Sequence, residues 1–123
     1  MTTECRAPGE ALLDVTLQPT IVVVEDPMIS NLVRAVLTKR GYQVMVVDRS
    51  EAEAVLRRSD GQAILMTNQP ADFLEFSGHV PLVYVSSNPD PRWRSAFSAC
   101  RVVPKPFSPQ GLTEAVADLW RAP

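Results

Sequence analysis

The chain has 123 residues, a length that suits one domain with a single hydrophobic core. Its formal net charge of -2 gives no electrostatic reason to expect binding to nucleic acid or to an anionic membrane. Cys5 and Cys100 are too few and too far apart for a disulfide framework or a zinc site, so we expect a cytoplasmic protein.

Residues 1–19 are predicted to be an N-terminal tail or an extra strand, and residues 20–123 the domain itself. Early acidic residues, Glu4 and Glu10, make the tail a poor signal peptide, and no apolar run approaches the roughly 20 residues that span a bilayer. The apolar side chains within residues 11–17 either pack onto the domain or form a strand that adds to a sheet edge or exchanges between protomers.

The first strand and the first helix have clear patterns. Residues 21–24 form a continuous β-branched run, typical of a strand buried on both faces. Asp26 before Pro27 predicts a helix start, and Gly41 predicts a helix end near residue 40. Between them one apolar face recurs at helical spacing, and it comprises Ile29, Leu32, Val33, Val36 and Leu37.

The remaining segments alternate in the same way. Strands are predicted over residues 44–47, 63–66, 82–85 and 101–103. A capping box from Ser50 to Glu53 predicts the start of the second helix, and the pair Asp60 and Gly61 predicts a turn after it. The last helix is predicted to begin at Ser108 and Pro109. Its inward side chains are predicted to be Leu112, Ala115, Val116, Leu119 and Trp120.

Two of the connections leave little room. Residues 71–76 can form only a helical turn or two, and residues 91–99 a short helix with Trp93, Ala96 and Phe97 inward. Five apolar strands alternating with helices predict an α/β fold, a parallel sheet covered on both faces and joined by right-handed crossovers.

Polar residues follow four of the predicted strands. Ligands in open parallel α/β sheets bind beyond the carboxyl ends of the strands, so these residues form the candidate site. They are Glu25, Asp26, Thr67, Asn68, Ser86, Ser87 and Lys105.

Three segments carry a resemblance to a known family. They are residues 21–29 (IVVVEDPMI), residues 81–86 (PLVYVS) and residues 103–108 (VPKPFS). In this order and spacing the chain resembles the receiver domain of bacterial response regulators over residues 20–121. The resemblance implies a flavodoxin-like, doubly wound five-stranded parallel sheet in the order 2-1-3-4-5, here with shortened third and fourth helices.

The resemblance also implies roles for the site residues. In the family, acidic residues after the first strand hold Mg²⁺, and an aspartate ending the third strand accepts a phosphoryl group from a histidine kinase. The family's phosphoryl-contacting hydroxyl and lysine correspond to Ser86 and Lys105. Glu25 and Asp26 correspond to the acidic pair and the metal ligands, unless Asp26 merely precedes the helix and Val24 replaces one acid.

The departures from the family concern the phosphorylation chemistry itself. Thr67 is the best match to the phosphoacceptor position and Asn68 the next, within the segment AILMTNQP of residues 63–70. Neither side chain can form an acyl phosphate, which needs a carboxylate nucleophile. The change also removes a carboxylate of the kind that Mg²⁺ prefers. Val102 stands three residues before Lys105, where the family often has an aromatic switch residue.

Structural roles compete with functional ones at several of these positions. Asp26 is equally well explained as a helix cap, and Lys105 as a partner of Glu25 or Asp26 in place of a phosphoryl group. The hydroxyls of Ser86 and Ser87 suit loop backbone groups. His79, the only histidine, is expected on a surface loop, with no nucleophile and orienting group to form a catalytic set.

We therefore expect an atypical receiver, not an enzyme and without a cofactor, that binds a histidine kinase or another regulator. The resemblance to receivers implies that the last helix and the fourth strand edge form the contact face. Direct binding to DNA is not expected. One alternative retains Mg²⁺ or phosphoryl binding at Glu25, Asp26, Ser86 and Lys105, or phosphorylation at Asp48 or Asp72. Another is a structural or dimerisation module that uses the tail.

Overall fold

Five strands and five helical segments alternate along residues 19–59 and 61–121, the part of the chain that the computed structural model describes. Residues 1–18, which hold nearly all of the predicted tail, lie outside this part, and so does Asp60 of the predicted turn. In chain order the segments are β1 (Thr20–Val24), α1 (Pro27–Lys39), β2 (Gln43–Val46), α2 (Arg49–Arg58), β3 (Ala63–Thr67), a 3-10 helix (Pro70–Phe76), β4 (Leu82–Ser86), α3 (Pro91–Ala96), β5 (Cys100–Pro104) and α4 (Pro109–Arg121).

The strands form one parallel sheet in the order β2-β1-β3-β4-β5, which confirms the predicted fold class and topology. β1 lies between β2 and β3, and its last residue, Val24, is in register with Thr67 of β3. Thr67 is in turn in register with Tyr84 of β4. The carboxyl ends of the three inner strands therefore reach the same edge of the sheet.

Two hydrophobic clusters cover the two faces of the sheet. Val33 and Leu37 of α1 pack with α4 residues on one face, and Ala52 and Leu56 of α2 pack with the 3-10 helix on the other. Every residue of β3 is buried, as the uninterrupted apolar runs predict for a strand covered on both sides. None of the described helices is both long and apolar enough to cross a membrane.

Helix α1 begins where Asp26 and Pro27 predict, and it ends near Gly41, whose φ of 92° is easily adopted only by glycine. The predicted apolar face of α1 includes one residue, Leu32, that is not buried. Leu32 is 44% exposed, whereas Val33 and Leu37 are fully buried. The helix therefore meets the sheet along a narrower stripe than its hydrophobic spacing suggests.

The start of α2 differs from the prediction. Its N-cap is Asp48, whose side chain accepts a hydrogen bond from the backbone N–H of Glu51 at 2.8 Å, while the Glu51 carboxylate accepts from the Asp48 N–H at 3.2 Å. The capping box is therefore Asp48 with Glu51, and the predicted pair Ser50 and Glu53 is wrong. Both pairs have suitable side chains, but β2 ends at Val46 and leaves only two residues before the helix.

The connections on either side of β4 are short, as predicted. The 3-10 helix bends at Phe73, whose side chain is fully buried, and α3 has six residues. The prediction that the helix reaches residue 99 with Ala96 inward is wrong, because β5 already begins at Cys100 and Ala96 is exposed. Phe97 is buried just beyond the helix, and Trp93 is half-buried.

Helix α4 follows the predicted cap and face. Ser108 Oγ accepts a hydrogen bond from the Gly111 N–H at 2.9 Å. The buried residues of the helix are Leu112, Ala115, Val116 and Leu119, and Trp120 packs half-buried against them.

The two competing caps of α2 give a matched test of this fold. We expect Asp48→Ala to lower the free energy of unfolding more than Ser50→Ala, because only Asp48 satisfies the N–H of Glu51. Urea unfolding of both variants measures the difference. A larger loss for Ser50→Ala would contradict the position of the helix start.

Candidate functional site

The polar residues that follow the strands meet at the carboxyl edge of the sheet. Glu25 follows β1, Thr67 ends β3, Ser86 ends β4 and Lys105 follows β5. The Lys105 N–H donates to the carbonyl oxygen of Ser86 at 3.0 Å, which fixes the start of the segment after β5 against the end of β4. The sheet thus brings together the residues that the sequence separates by up to 80 positions.

Glu25 and Lys105 form the central contact of this edge. Lys105 Nζ lies 3.4 Å from Glu25 Oε2. The Glu25 side chain is fully buried, whereas the Lys105 side chain is 22% exposed. Of the two acidic partners considered for Lys105, the structure therefore pairs it with Glu25, and the lysine reaches the carboxylate from the solvent side.

The two oxygens of the Glu25 carboxylate have different surroundings. Oε1 accepts a hydrogen bond from the Asp26 N–H at 3.2 Å. Oε2 is buried and accepts no hydrogen bond from the described residues, so its favourable contact is the charge of Lys105. The carbonyl oxygen of Glu25 accepts from the buried hydroxyl of Ser30 at 3.1 Å, which ties this loop to α1.

Burial raises the pKa of Glu25 above its ordinary value. Removing a carboxylate from water disfavours its charged form, and this effect is the largest at Glu25. The Asp26 N–H and the Lys105 ammonium both favour the ionised form and lower the pKa, but they do not cancel the cost of burial. Glu25 is therefore a carboxylate that the fold holds at an energetic cost.

Asp26 is engaged in the structure of α1. Its carboxylate accepts a hydrogen bond from the Ile29 N–H at 3.0 Å, and the residue is exposed. This geometry matches the helix-cap alternative. Within residues 19–59 and 61–121 no group of three or more His, Cys, Asp or Glu side chains converges as a metal-ligand cluster.

Thr67 occupies the end of the central strand. It is fully buried, and its hydroxyl oxygen accepts a hydrogen bond from the Gln69 N–H at 3.0 Å. Asn68 beside it is half-buried. The position at the end of β3 thus carries a hydroxyl engaged with the following loop, and it carries no carboxylate.

Ser86 also closes a local turn. Its hydroxyl oxygen accepts from the Asn88 N–H at 3.0 Å, which matches the loop-satisfying role considered for it. Ser87 is exposed and lines a cavity of about 390 Å³ beside the ion pair. The other residues of that cavity are Ile29, Leu32, Lys105, Pro106 and Phe107.

The other candidates lie away from this edge or in structural contacts. His79 is exposed in its loop, with its ring 5.9 Å from that of Phe76. Asp48 caps α2, and Asp72 lies 3.8 Å from Arg49 on the surface between α2 and the 3-10 helix.

Two polar contacts near the site were not anticipated from the sequence. The buried Tyr84 hydroxyl accepts a hydrogen bond from the Asp90 N–H at 3.0 Å and anchors the loop after β4. Ser30 lies three residues before Val33 and seven before Leu37, on the inward face of α1. A hydroxyl at that helical spacing is the signal that marks Ser30, whereas Tyr84 is hidden within an apolar strand run.

Two substitutions separate the capping role of Asp26 from any role of its charge. Asn caps helices about as well as Asp, whereas Ala removes the cap at a cost of about 1 kcal/mol. We expect Asp26→Ala to lower the free energy of unfolding by about that amount and Asp26→Asn to leave it nearly unchanged. Equal losses in urea unfolding of both variants would show that the charge, and not the cap, matters.

Glu25→Gln tests the cost of the buried charge. A raised carboxyl pKa means that Glu25 contributes most stability below its unfolded pKa and that this contribution is lost as the pH rises through its folded value. At neutral pH we expect the free energy of unfolding of the Gln variant to equal that of the wild type or to exceed it by up to about 1 kcal/mol. The difference should vanish on acidification, and a less stable variant at neutral pH would contradict this account.

Lys105→Met is the complementary variant. It leaves the Glu25 carboxylate buried without a cation, so we expect a loss of roughly 3 kcal/mol at neutral pH. Because protonation of Glu25 relieves the penalty, the loss should shrink in acid. Thermal unfolding of both proteins from neutral to acidic pH measures this change. A loss that does not depend on pH would refute the electrostatic role of Lys105.

Known proteins resemble this chain in their three-dimensional structure. No protein-family model and no curated protein sequence matches the chain significantly. Solved structures do match. The response regulator receiver protein of Sinorhizobium medicae is 21% identical, with a TM-score of 0.68, and the match covers 85% of this chain and 96% of that one.

Two further matches are of the same kind. The chemotaxis protein CheY4 of Vibrio cholerae is 18% identical, with a TM-score of 0.63 over 83% of this chain and 98% of that one. The receiver domain of the hybrid histidine kinase CckA is 20% identical, with a TM-score of 0.61 over 83% of this chain and 99% of that one. The chain therefore has the flavodoxin-like fold of the response-regulator receiver domains.

Proposed function

We propose that this chain is an atypical receiver domain that binds a protein partner in bacterial two-component or phosphorelay signalling and is not phosphorylated on aspartate. The observation that carries the proposal is the end of β3. There the buried hydroxyl of Thr67 is engaged by the Gln69 N–H, at the position where the resemblance to receivers implies an aspartate.

The ion pair at the same edge supports this proposal. In a phosphorylated receiver the lysine after the fifth strand pairs with the phosphoryl group. Here Lys105 lies 3.4 Å from the buried carboxylate of Glu25, so a side chain of the same chain already provides its negative partner. A phosphoryl group would therefore have to compete with Glu25 for this lysine.

Asp26 and Ser86 support the proposal in a weaker way. Both side-chain oxygens accept hydrogen bonds from nearby backbone N–H groups, one at the start of α1 and one in the loop after β4. These groups satisfy the local fold, and binding of a metal or a phosphoryl group would have to compete with those bonds.

Incubation with acetyl phosphate and Mg²⁺ tests the chemical half of the proposal. We expect the intact mass of the wild-type protein to stay unchanged, while a receiver domain that retains the aspartate, treated in parallel, gains a phosphoryl group. An added phosphoryl group that hydroxylamine removes would identify an acyl phosphate on this chain and would sink the proposal.

Titration calorimetry with the phosphotransfer domain of a histidine kinase from the same organism tests the interaction half. We expect saturable binding whose affinity is the same with and without acetyl phosphate. Absence of binding to the histidine kinases and regulators of that organism, tested one by one, would contradict a role in phosphorelay signalling.

A second candidate function is binding of a cation or phosphoryl-like ligand at this edge. The observation that favours it is Oε2 of Glu25, a buried oxygen that accepts no hydrogen bond from the described residues. Lys105 already compensates its charge, so a cation would have to displace or add to this ammonium. That competition makes the second candidate the weaker one.

A further inference from the structure

Helix α1 carries an exposed apolar patch formed by Met28 and Leu32. Met28 is 80% exposed and Leu32 is 44% exposed, and among the described residues the other large apolar side chain of comparable exposure is Leu74 on the 3-10 helix. Because successive residues turn by about 100° around a helix, Met28 and Leu32 lie about 40° apart and form one surface. Single exposed apolar residues are ordinary, whereas adjacent ones beside a recess mark a contact surface.

The recess is the cavity of about 390 Å³ described above, and it adjoins this apolar patch. Leu32 belongs both to the patch and to the cavity wall, and Ile29 and Phe107 add further apolar surface to that wall. The charge of Lys105, which also lines the cavity, is already paired within the chain. Pockets of about 300–1,000 Å³ hold small molecules, so this one can accept a long side chain such as that of Met28.

The charges of α1 are distributed unevenly along its length. Asp26, which is exposed, precedes the first turn, and the exposed residues Arg34, Lys39 and Arg40 lie in the second half or at the end of the helix. Lys39 lies on the side of the apolar patch, within about 20° of both of its residues. Two such helices in antiparallel orientation bring the acidic end of one to the basic half of the other, whereas parallel helices bring like charges together.

We propose that two copies of this chain associate through α1 as an antiparallel helix pair, with Met28 of each protomer inserted into the cavity of the other. A two-fold axis brings the same surface of both protomers together, so one exposed methionine and one recess beside it are enough to cover both patches. Asp26 of each protomer then lies near the basic half of the partner's helix. This dimer is independent of the function proposed above, since it requires neither phosphoryl chemistry nor a second kind of protein.

Light scattering of the full chain over a range of concentrations tests the association. We expect the wild type to pass from a monomeric to a dimeric mass as its concentration rises, and Leu32→Asp to stay monomeric because its carboxylate would be buried in the contact. Leu74→Asp is the matched control, since Leu74 is 43% exposed on the 3-10 helix, and it should dimerise like the wild type. A wild type that stays monomeric up to about 1 mM, where even weak complexes form, would overturn the proposal.

Two charge-reversal proteins test the antiparallel arrangement. The first carries Arg34→Glu together with Lys39→Glu, and the second carries Asp26→Lys. Each protein alone brings like charges together at both ends of the helix pair, so we expect each to dimerise about tenfold more weakly than the wild type. An equimolar mixture of the two restores attraction at both ends and should regain the dimerisation of the wild type.

The mixture separates the contact from damage to the fold. Asp26→Lys removes the cap of α1 at a cost of about 1 kcal/mol, but a protein that fails to fold cannot regain a dimer on mixing. The methyl resonance of Met66, which is fully buried in the core, reports that each variant is folded. Folded variants that dimerise as strongly alone as in the mixture would contradict the antiparallel pair.

The methyl resonance of Met28 identifies what occupies the cavity. In the proposed dimer Met28 lies beside the ring of the partner's Phe107, so we expect its resonance to move on dilution toward its position in Leu32→Asp, while that of Met66 stays in place. A Met28 resonance that Leu32→Asp moves but dilution does not would mean that the same chain covers the patch. A dimeric mass that dissociates without a change at Met28 would mean that the contact lies elsewhere, and either result would overturn the proposal.

Discussion

Burial of the inner strands on both faces is the constraint on which the rest of the structure depends. β3 is wholly buried, and β1 and β4 expose only their ends. Parallel register between such strands brings their carboxyl ends to one edge, where polar side chains must share a small space. Glu25 reaches this edge within a poorly hydrated environment, so its charge needs a partner that the fold provides.

That partner is Lys105, but its attraction does not fully offset the effect of burial on Glu25. Coulomb attraction lowers the pKa of Glu25, but the loss of hydration raises it by more. The lysine keeps 22% of its side chain exposed and so retains part of its own hydration. Such a pair holds the segment after β5 next to the loop after β1, at a cost that a purely structural core contact would not carry.

The sequence predicted the strands, the helices and the polar edge from continuous β-branched runs and helical spacing, which are local signals, whereas the order of the strands followed from the resemblance to receiver domains. It placed the cap of α2 at Ser50 where the structure has Asp48, since both residue types cap helices about equally well and the end of β2 decides. It overestimated the burial of Leu32 and Ala96, whose exposure depends on tertiary packing. Whether Lys105 meets Glu25 or Asp26 depends on side-chain placement between the loop after β1 and the segment after β5, which no local pattern encodes.

The central claim is that the charge of Glu25 is paired with Lys105 within the chain and that this carboxyl edge does not respond to a phosphoryl group. An amide NMR titration with Mg²⁺ and then beryllofluoride, a mimic of an acyl phosphate, tests this claim most directly. The account predicts that the amide resonances of Glu25, Ser86 and Lys105 stay in place throughout. Saturable shifts centred on these residues would contradict it and would show that the edge still binds a cation or a phosphoryl-like ligand.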